Sequence, residues 1–131
     1  MMATGTPSSS SKMKTEIVDV VNGTLCSTLA DYPFARYGAV GANLAGTPVV
    51  CGGVQNSNCF RLEANSVWEG IGGMKETRGL AAAVMHNDKL HVFGGSSGSG
   101  LQTTETINVD GEVSYGPDLP TAVRYHAMTK I

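Results

Sequence analysis

The chain has 131 residues, 41% of them hydrophobic and 15% charged, with 17 glycines and a net charge of −2. That length fits one ordinary domain, and few charges, many glycines and frequent Val, Thr and Ile favour short strands and turns over long helices. The mild negative charge gives no basic stripe for nucleic acid and no polybasic patch for acidic lipid, and no apolar run reaches the roughly 18 residues that span a bilayer.

In chain order, residues 3–11 are small, polar and Ser-rich, and 1–14 read as a disordered tail. Their two lysines are followed by no apolar segment of the kind a secretory signal carries. Residues 15–36 read as two strands, about 15–21 and 24–29, joined at Asn22-Gly23. Residues 37–77 hold four strands, near 37–43, 48–52, 58–63 and 67–70, and residues 78–123 hold four more, near 79–86, 89–94, 103–109 and 112–116. Asn87-Asp88 and Asp110-Gly111 read as two-residue turns in the second of these units. A last strand is expected at 124–130, opening a further unit at 124–131. The fold class is therefore all-β, built of antiparallel four-stranded meanders, with eleven strands and no helix.

The strands repeat. Arg36, Arg78 and Arg124 lie 42 and 46 residues apart. After Arg36 and again after Arg78 a glycine pair begins 16 residues on, at Gly52-Gly53 and Gly94-Gly95. TEIVDVVNGTLCSTLADYPFAR (residues 15–36) also matches TETINVDGEVSYGPDLPTAVR (residues 104–124) with a difference of one residue in length. A fixed period of this size marks a repeat architecture. A glycine pair after a buried strand lets the chain turn with positive φ where a Cβ would clash.

VVCGG (residues 49–53) and HVFGG (residues 91–95), each followed by a further strand and then an aromatic strand, resemble the kelch repeat of β-propellers, including the propeller of galactose-oxidase-like proteins. Phe60 stands where that repeat usually has Tyr, and Trp68 stands in its Trp place. In the next unit Tyr115 takes the Trp place, and Ile107 or a neighbour replaces the earlier aromatic. The resemblance covers roughly residues 15–131 and implies that Trp68 and Tyr115 fill the wedge between blades. Propellers have about 4–8 blades and kelch units run about 50 residues, so the chain is expected to be an incomplete propeller of about two and a half blades. A piece of a longer protein is the simpler expectation, and assembly with copies of itself is the other.

Cys51 and Cys59 flank the connection between the second and third strands of the first full unit. On a meander these strands are adjacent, close enough for a disulfide, and the alternative is two buried reduced thiols. The CGG…C…W arrangement also resembles secreted invertebrate kelch proteins, in which such a bridge is implied. Cys26 is then unpaired within the chain. Asn22-Gly23-Thr24 is a glycosylation sequon on an exposed turn, with a plain turn as its alternative. No Cys/His zinc spacing is present. His91 pairs with Val84 if Asn87-Asp88 is the turn, which separates it from His86 and argues against shared ligation. GGSSGSG (residues 94–100) lacks the Lys-Ser/Thr ending of a P-loop and reads as a connecting loop. The three arginines read as a structural device repeated by each blade, with a ring contacting an acidic partner as the alternative.

The expected function is a non-catalytic protein-interaction scaffold of an extracellular kelch protein, with no cofactor and no nucleic-acid partner. Candidate partner-binding residues lie on the loops between second and third strands: Val54, Gln55, Asn56, Ser57 and Asn58, and Ser96, Ser97, Ser99, Leu101 and Gln102. Two alternatives carry different chemistry. One is the substrate-recruiting propeller of an intracellular BTB-kelch ubiquitin-ligase adaptor. The other is part of a galactose-oxidase-like copper enzyme, whose Tyr/His copper ligands and Tyr-Cys pair cannot be assembled from Tyr32, Tyr37, Tyr115 and Tyr125 with the histidines and cysteines here.

Overall fold

Alternating side chains and turn dipeptides set up three meanders in succession. The computed structural model describes residues 2–4, 15–19, 21–22, 24–33 and 37–123. β1 (Met2–Thr4), β2 (Thr15–Asp19) and β3 (Thr24–Thr28) form a three-stranded antiparallel sheet. β4 (Ala39–Leu44), β5 (Thr47–Gly52), β6 (Asn58–Leu62) and β7 (Trp68–Gly73) form a four-stranded sheet in chain order. β8 (Ala82–His86), β9 (Lys89–Phe93), β10 (Thr104–Ile107) and β11 (Val113–Tyr115) form another in the same order. Every pairing is antiparallel, and no helix occurs among the described residues. Within the stretch read as a disordered tail, Met2–Thr4 instead pair with β2, Met2 opposite Ile17. The strand expected at 124–130, together with Arg36 and Arg124, lies outside the described residues.

Turn chemistry fixes each register. Ala45-Gly46 and Asn87-Asp88 take positive φ at both positions, as tight hairpins require. Asp110-Gly111 is not a two-residue turn. The Gly111 N–H donates to Asn108 O (3.1 Å) and the Asn108 N–H to Glu112 O (3.2 Å), leaving three residues in the loop with Gly111 at φ 87°. The β6–β7 loop repeats this geometry: Ser66 donates to Glu63 O (2.9 Å) and holds φ 64°. Gly111 has a second reason to be glycine, since a Cβ there would collide with Ile71 O on β7. That corner is further tied by Arg61, which donates to Val109 O (3.1 Å) and pairs with Glu63 and Glu69. Its guanidinium is pushed above the ordinary value by the hydrogen bonds of Glu63 first and Glu69 second.

The β4–β7 sheet is covered on both faces. One face packs Leu44, Val49, Cys51, Cys59 and Met74 against Leu90, Val92 and Ile107 of the next sheet. The other packs Val50 and Trp68 under Tyr32, whose ring stands edge-on to Trp68 (5.0 Å) and Phe60 (5.3 Å). The Trp68 indole N–H donates to Ala30 O at 3.2 Å, so the aromatic is satisfied as well as buried.

Register corrects the assignment of aromatics in the second unit. Trp68 pairs with Leu62 and Val113 pairs with Ile107, so Val113 holds the place of Trp68. Tyr115 lies farther along β11, 53% exposed, with the Lys75 ammonium 5.3 Å from its ring centre, and does not fill the wedge. Desolvation first, and then the Glu76 and Glu105 carboxylates, push its phenol above the ordinary value. The counterpart of Phe60 is Glu105, not Ile107: Phe60 sits opposite Val50 and Glu105 opposite Val92.

The two units close their second and third strands with different chemistry. In the first, Cys51 and Cys59 are register partners with Cα atoms 4.1 Å apart and form a disulfide. Closing so short a loop contributes roughly 2–3 kcal/mol in the chain-entropy picture. In the second, Phe93 and Thr104 hold those places, and a buried ion pair lies beside them.

Candidate functional site

Arg78, recurring from the repeat, is the largest fully buried side chain of the described residues. Its five N–H groups are all used. Nε donates to Glu105 (2.7 Å), Nη1 to Gly94 O (2.7 Å) and Thr103 O (2.8 Å), and Nη2 to Glu76 (2.8 Å) and Thr103 Oγ1 (2.6 Å). Glu105, also fully buried, accepts in addition from the backbone N–H groups of Lys75 (2.5 Å) and Glu76 (3.2 Å). Thr103 Oγ1 in turn donates to Glu76. A buried charge is tolerated when it is paired and fully hydrogen-bonded, and this one is. Arg78 is therefore structural, as the repeat suggested. It binds the segment before β8 to both ends of the β9–β10 loop.

Above that network the inner connections of both sheets meet. All four repeat glycines have positive φ: Gly52 (72°), Gly53 (108°), Gly94 (62°) and Gly95 (91°). A Cβ on Gly52 would meet Arg78 O at 2.7 Å, and one on Gly79 would meet Val54 Cα at 2.8 Å. Close approach lets backbone groups bond across the junction. Gly53 N–H donates to Arg78 O (3.2 Å) and Leu80 N–H to Gly38 O (2.9 Å), while Val54 N–H donates to Tyr37 O (3.1 Å) within the first unit. Within the second unit Gly79 and Ser96 exchange two backbone bonds, at 3.1 and 2.8 Å.

These bonds frame a groove of about 570 Å³ lined by Tyr37, Val54, Gln55, Thr77, Leu80, Ser96, Ser97 and Gly98. Among the described residues no charged side chain lines it. Tyr37 is 48% exposed there, and Gln55, Ser97 and Gly98 are exposed. Two of its residues are conformationally costly: Gln55 (φ 60°) and Leu80 (φ 57°) sit in the left-handed region. Leu80 follows Arg78 by two residues, as Gly38 (φ 70°) follows Arg36, so the repeat demands that conformation and here a leucine accepts it. Such strain costs on the order of 1–3 kcal/mol, and it clusters where a side chain is wanted for function.

Of the loop residues singled out in the sequence, the structure brings Val54, Gln55, Ser96 and Ser97 into the groove. The others turn to connecting roles. The Asn56 side chain accepts from Asn58 N–H (2.7 Å), and Ser57 O accepts from Met74 N–H (2.9 Å). Ser99 O accepts from Ser97 N–H (3.2 Å), Leu101 bridges to Val123, and Gln102 O accepts from Leu119 N–H (2.7 Å). Tyr37, Thr77, Leu80 and Gly98 were missed. Three of these lie within two residues of a repeat arginine, a signal already in the sequence. Asn22 is exposed beside the β2–β3 turn, and Cys26 lies on β3 with its side chain outside the described residues.

No family model matches the chain, and no curated protein matches it. Among solved structures it is similar to that of YjhT, with a TM-score of 0.72 and 14% identity. The match covers 95% of this chain and 50% of that one, so the chain spans half the length of the structure it resembles. At that identity the likeness concerns the fold alone: an all-β arrangement containing two successive four-stranded antiparallel sheets.

Proposed function

We propose that the chain is part of a kelch-type β-propeller and acts as a non-catalytic scaffold, holding a protein partner in the groove between its two inner loop pairs. The observation that carries this reading is the groove itself. Two successive sheets contribute to it, inter-loop backbone bonds and the buried Arg78 network fix its shape, and it offers an aromatic, an amide, hydroxyls and a strained leucine to one ligand. Preorganisation of this kind lowers the ordering cost of binding. The extracellular setting is supported by the Cys51–Cys59 disulfide, since such bonds persist in oxidising compartments.

Photoreactive residues placed at Gln55 and at Ser97 test the reading against one at Glu112, on the far β10–β11 hairpin. One and the same protein is expected to cross-link from both groove positions, not from Glu112, and to be lost when Tyr37→Ala is added. Equal capture from Glu112, or none dependent on the groove, overturns it.

A further inference from the structure

The forward faces of the two four-stranded sheets should match, because the repeat places equivalent residues on them. They differ at two points together. On the first sheet Leu44 and Val49 are buried, 0% and 1% exposed, beneath the second sheet. Forty-two residues on, in the same register, the second sheet carries His86 and His91. His86 is exposed and His91 half-buried. Placing the same polar residue at the counterparts of two diagonal core positions breaks the pattern that builds the inter-sheet core. A break in local pattern without a packing gain marks a functional place.

The two imidazoles are neighbours despite their register. His86 is opposite Lys89 and His91 opposite Val84, so they are diagonal on one face, within reach for ring side chains. Their ring centres are 5.8 Å apart, at 58° to each other. His91 pairs with Val84 as the Asn87-Asp88 turn requires, and the two rings still meet across the diagonal. His91 Nε2 lies 3.3 Å from His86 O. With Nε2–H as donor, Nδ1 keeps its lone pair, the arrangement in which metal-bound histidines commonly stand, one ring nitrogen bonded to a carbonyl. Two imidazoles on one metal, with bonds of about 2.0–2.1 Å, bring ring centres to about 5 Å at a tetrahedral angle and farther apart at wider ones. The observed 5.8 Å lies within that range.

We propose that His86 and His91 form a two-imidazole site for a divalent late transition-metal ion of the Zn²⁺, Ni²⁺ or Cu²⁺ kind. No group of three His, Cys, Asp or Glu side chains gathers among the described residues, so the described residues supply two ligands to the ion. Imidazole selects these ions over Mg²⁺ and Ca²⁺, which prefer oxygen. The site lies at the turn end of β8 and β9, the opposite end from the groove, and does not depend on the groove's role. Lys89 is the charged side chain on this face of the hairpin, and its ammonium opposes the ion.

Calorimetric titration of the whole chain with Zn²⁺ and with Ni²⁺ at neutral pH, alongside imidazole NMR, tests the site. One ion per chain is expected, perturbing the His86 and His91 ring resonances together. His86→Ala and His91→Ala should each weaken binding about tenfold or more, and Lys89→Ala should tighten it. Acidification should release the ion, because protons compete for the same nitrogens. The absence of saturable binding below about 1 mM, or binding that survives the double substitution, overturns the proposal. The ring resonances of the unaltered protein decide the matter even if a variant fails to fold.

Discussion

Arg78→Met should destabilise the protein by about 3–5 kcal/mol, because it strands the fully buried Glu105 carboxylate without its cation. Urea unfolding followed by circular dichroism measures the loss. The mechanism makes a sharper expectation for the pair. Arg78→Met combined with Glu105→Leu removes both charges, and apolar replacement of a buried ion pair is often close to neutral. The double variant should recover most of the loss. Recovery will be incomplete, since Lys75 and Glu76 N–H groups and the carbonyls of Gly94 and Thr103 also lose partners. A double variant as unstable as the single one would mean that those backbone bonds, not the charges, hold the junction.

Trp68→Ala should cost a comparable amount, about 3–5 kcal/mol, through the cavity it leaves beneath Tyr32. Trp68→Phe should cost less, losing the hydrogen bond to Ala30 O and part of the volume while keeping an aromatic edge for Tyr32. Trp68 is the chain's one tryptophan, so its fluorescence reports this site alone. Tyr32→Ala should shift that emission to the red as water reaches the indole. Emission unchanged by Tyr32→Ala would contradict the packing of segment 29–33 on the β4–β7 sheet.

Much of this architecture was legible because glycine and turn dipeptides act locally. The Gly52-Gly53 and Gly94-Gly95 pairs needed positive φ, and all four have it; the Asn87-Asp88 turn set the register of His91 opposite Val84. The cysteine pair was readable for the same reason, since adjacent strands bring register partners together wherever the loop is short. Errors arose where identity depends on tertiary contacts. Tyr115 was matched to Trp68 by residue type, but the register assigns that place to Val113. Met2–Thr4 have the composition of a tail, and pairing with β2 overrides it. Glu105 gave no sign that it would be buried, because its partner is 27 residues away. The groove was half visible: its loops could be named, but Leu80 carries its role in a φ angle that only the repeat's alignment with Gly38 reveals.

The central claim is that loops from two sheets form one preformed face rather than two independent connections. Amide hydrogen exchange at Gly53 and Leu80 tests it most directly, because each of these N–H groups donates to a carbonyl of the other unit. The account predicts that both exchange slowly, on the scale of the β4–β5 and β8–β9 ladders, and that Arg78→Met speeds the two together. Exchange at the rate of an unstructured peptide, with the strands still protected, would contradict it: the groove would then not exist until something bound.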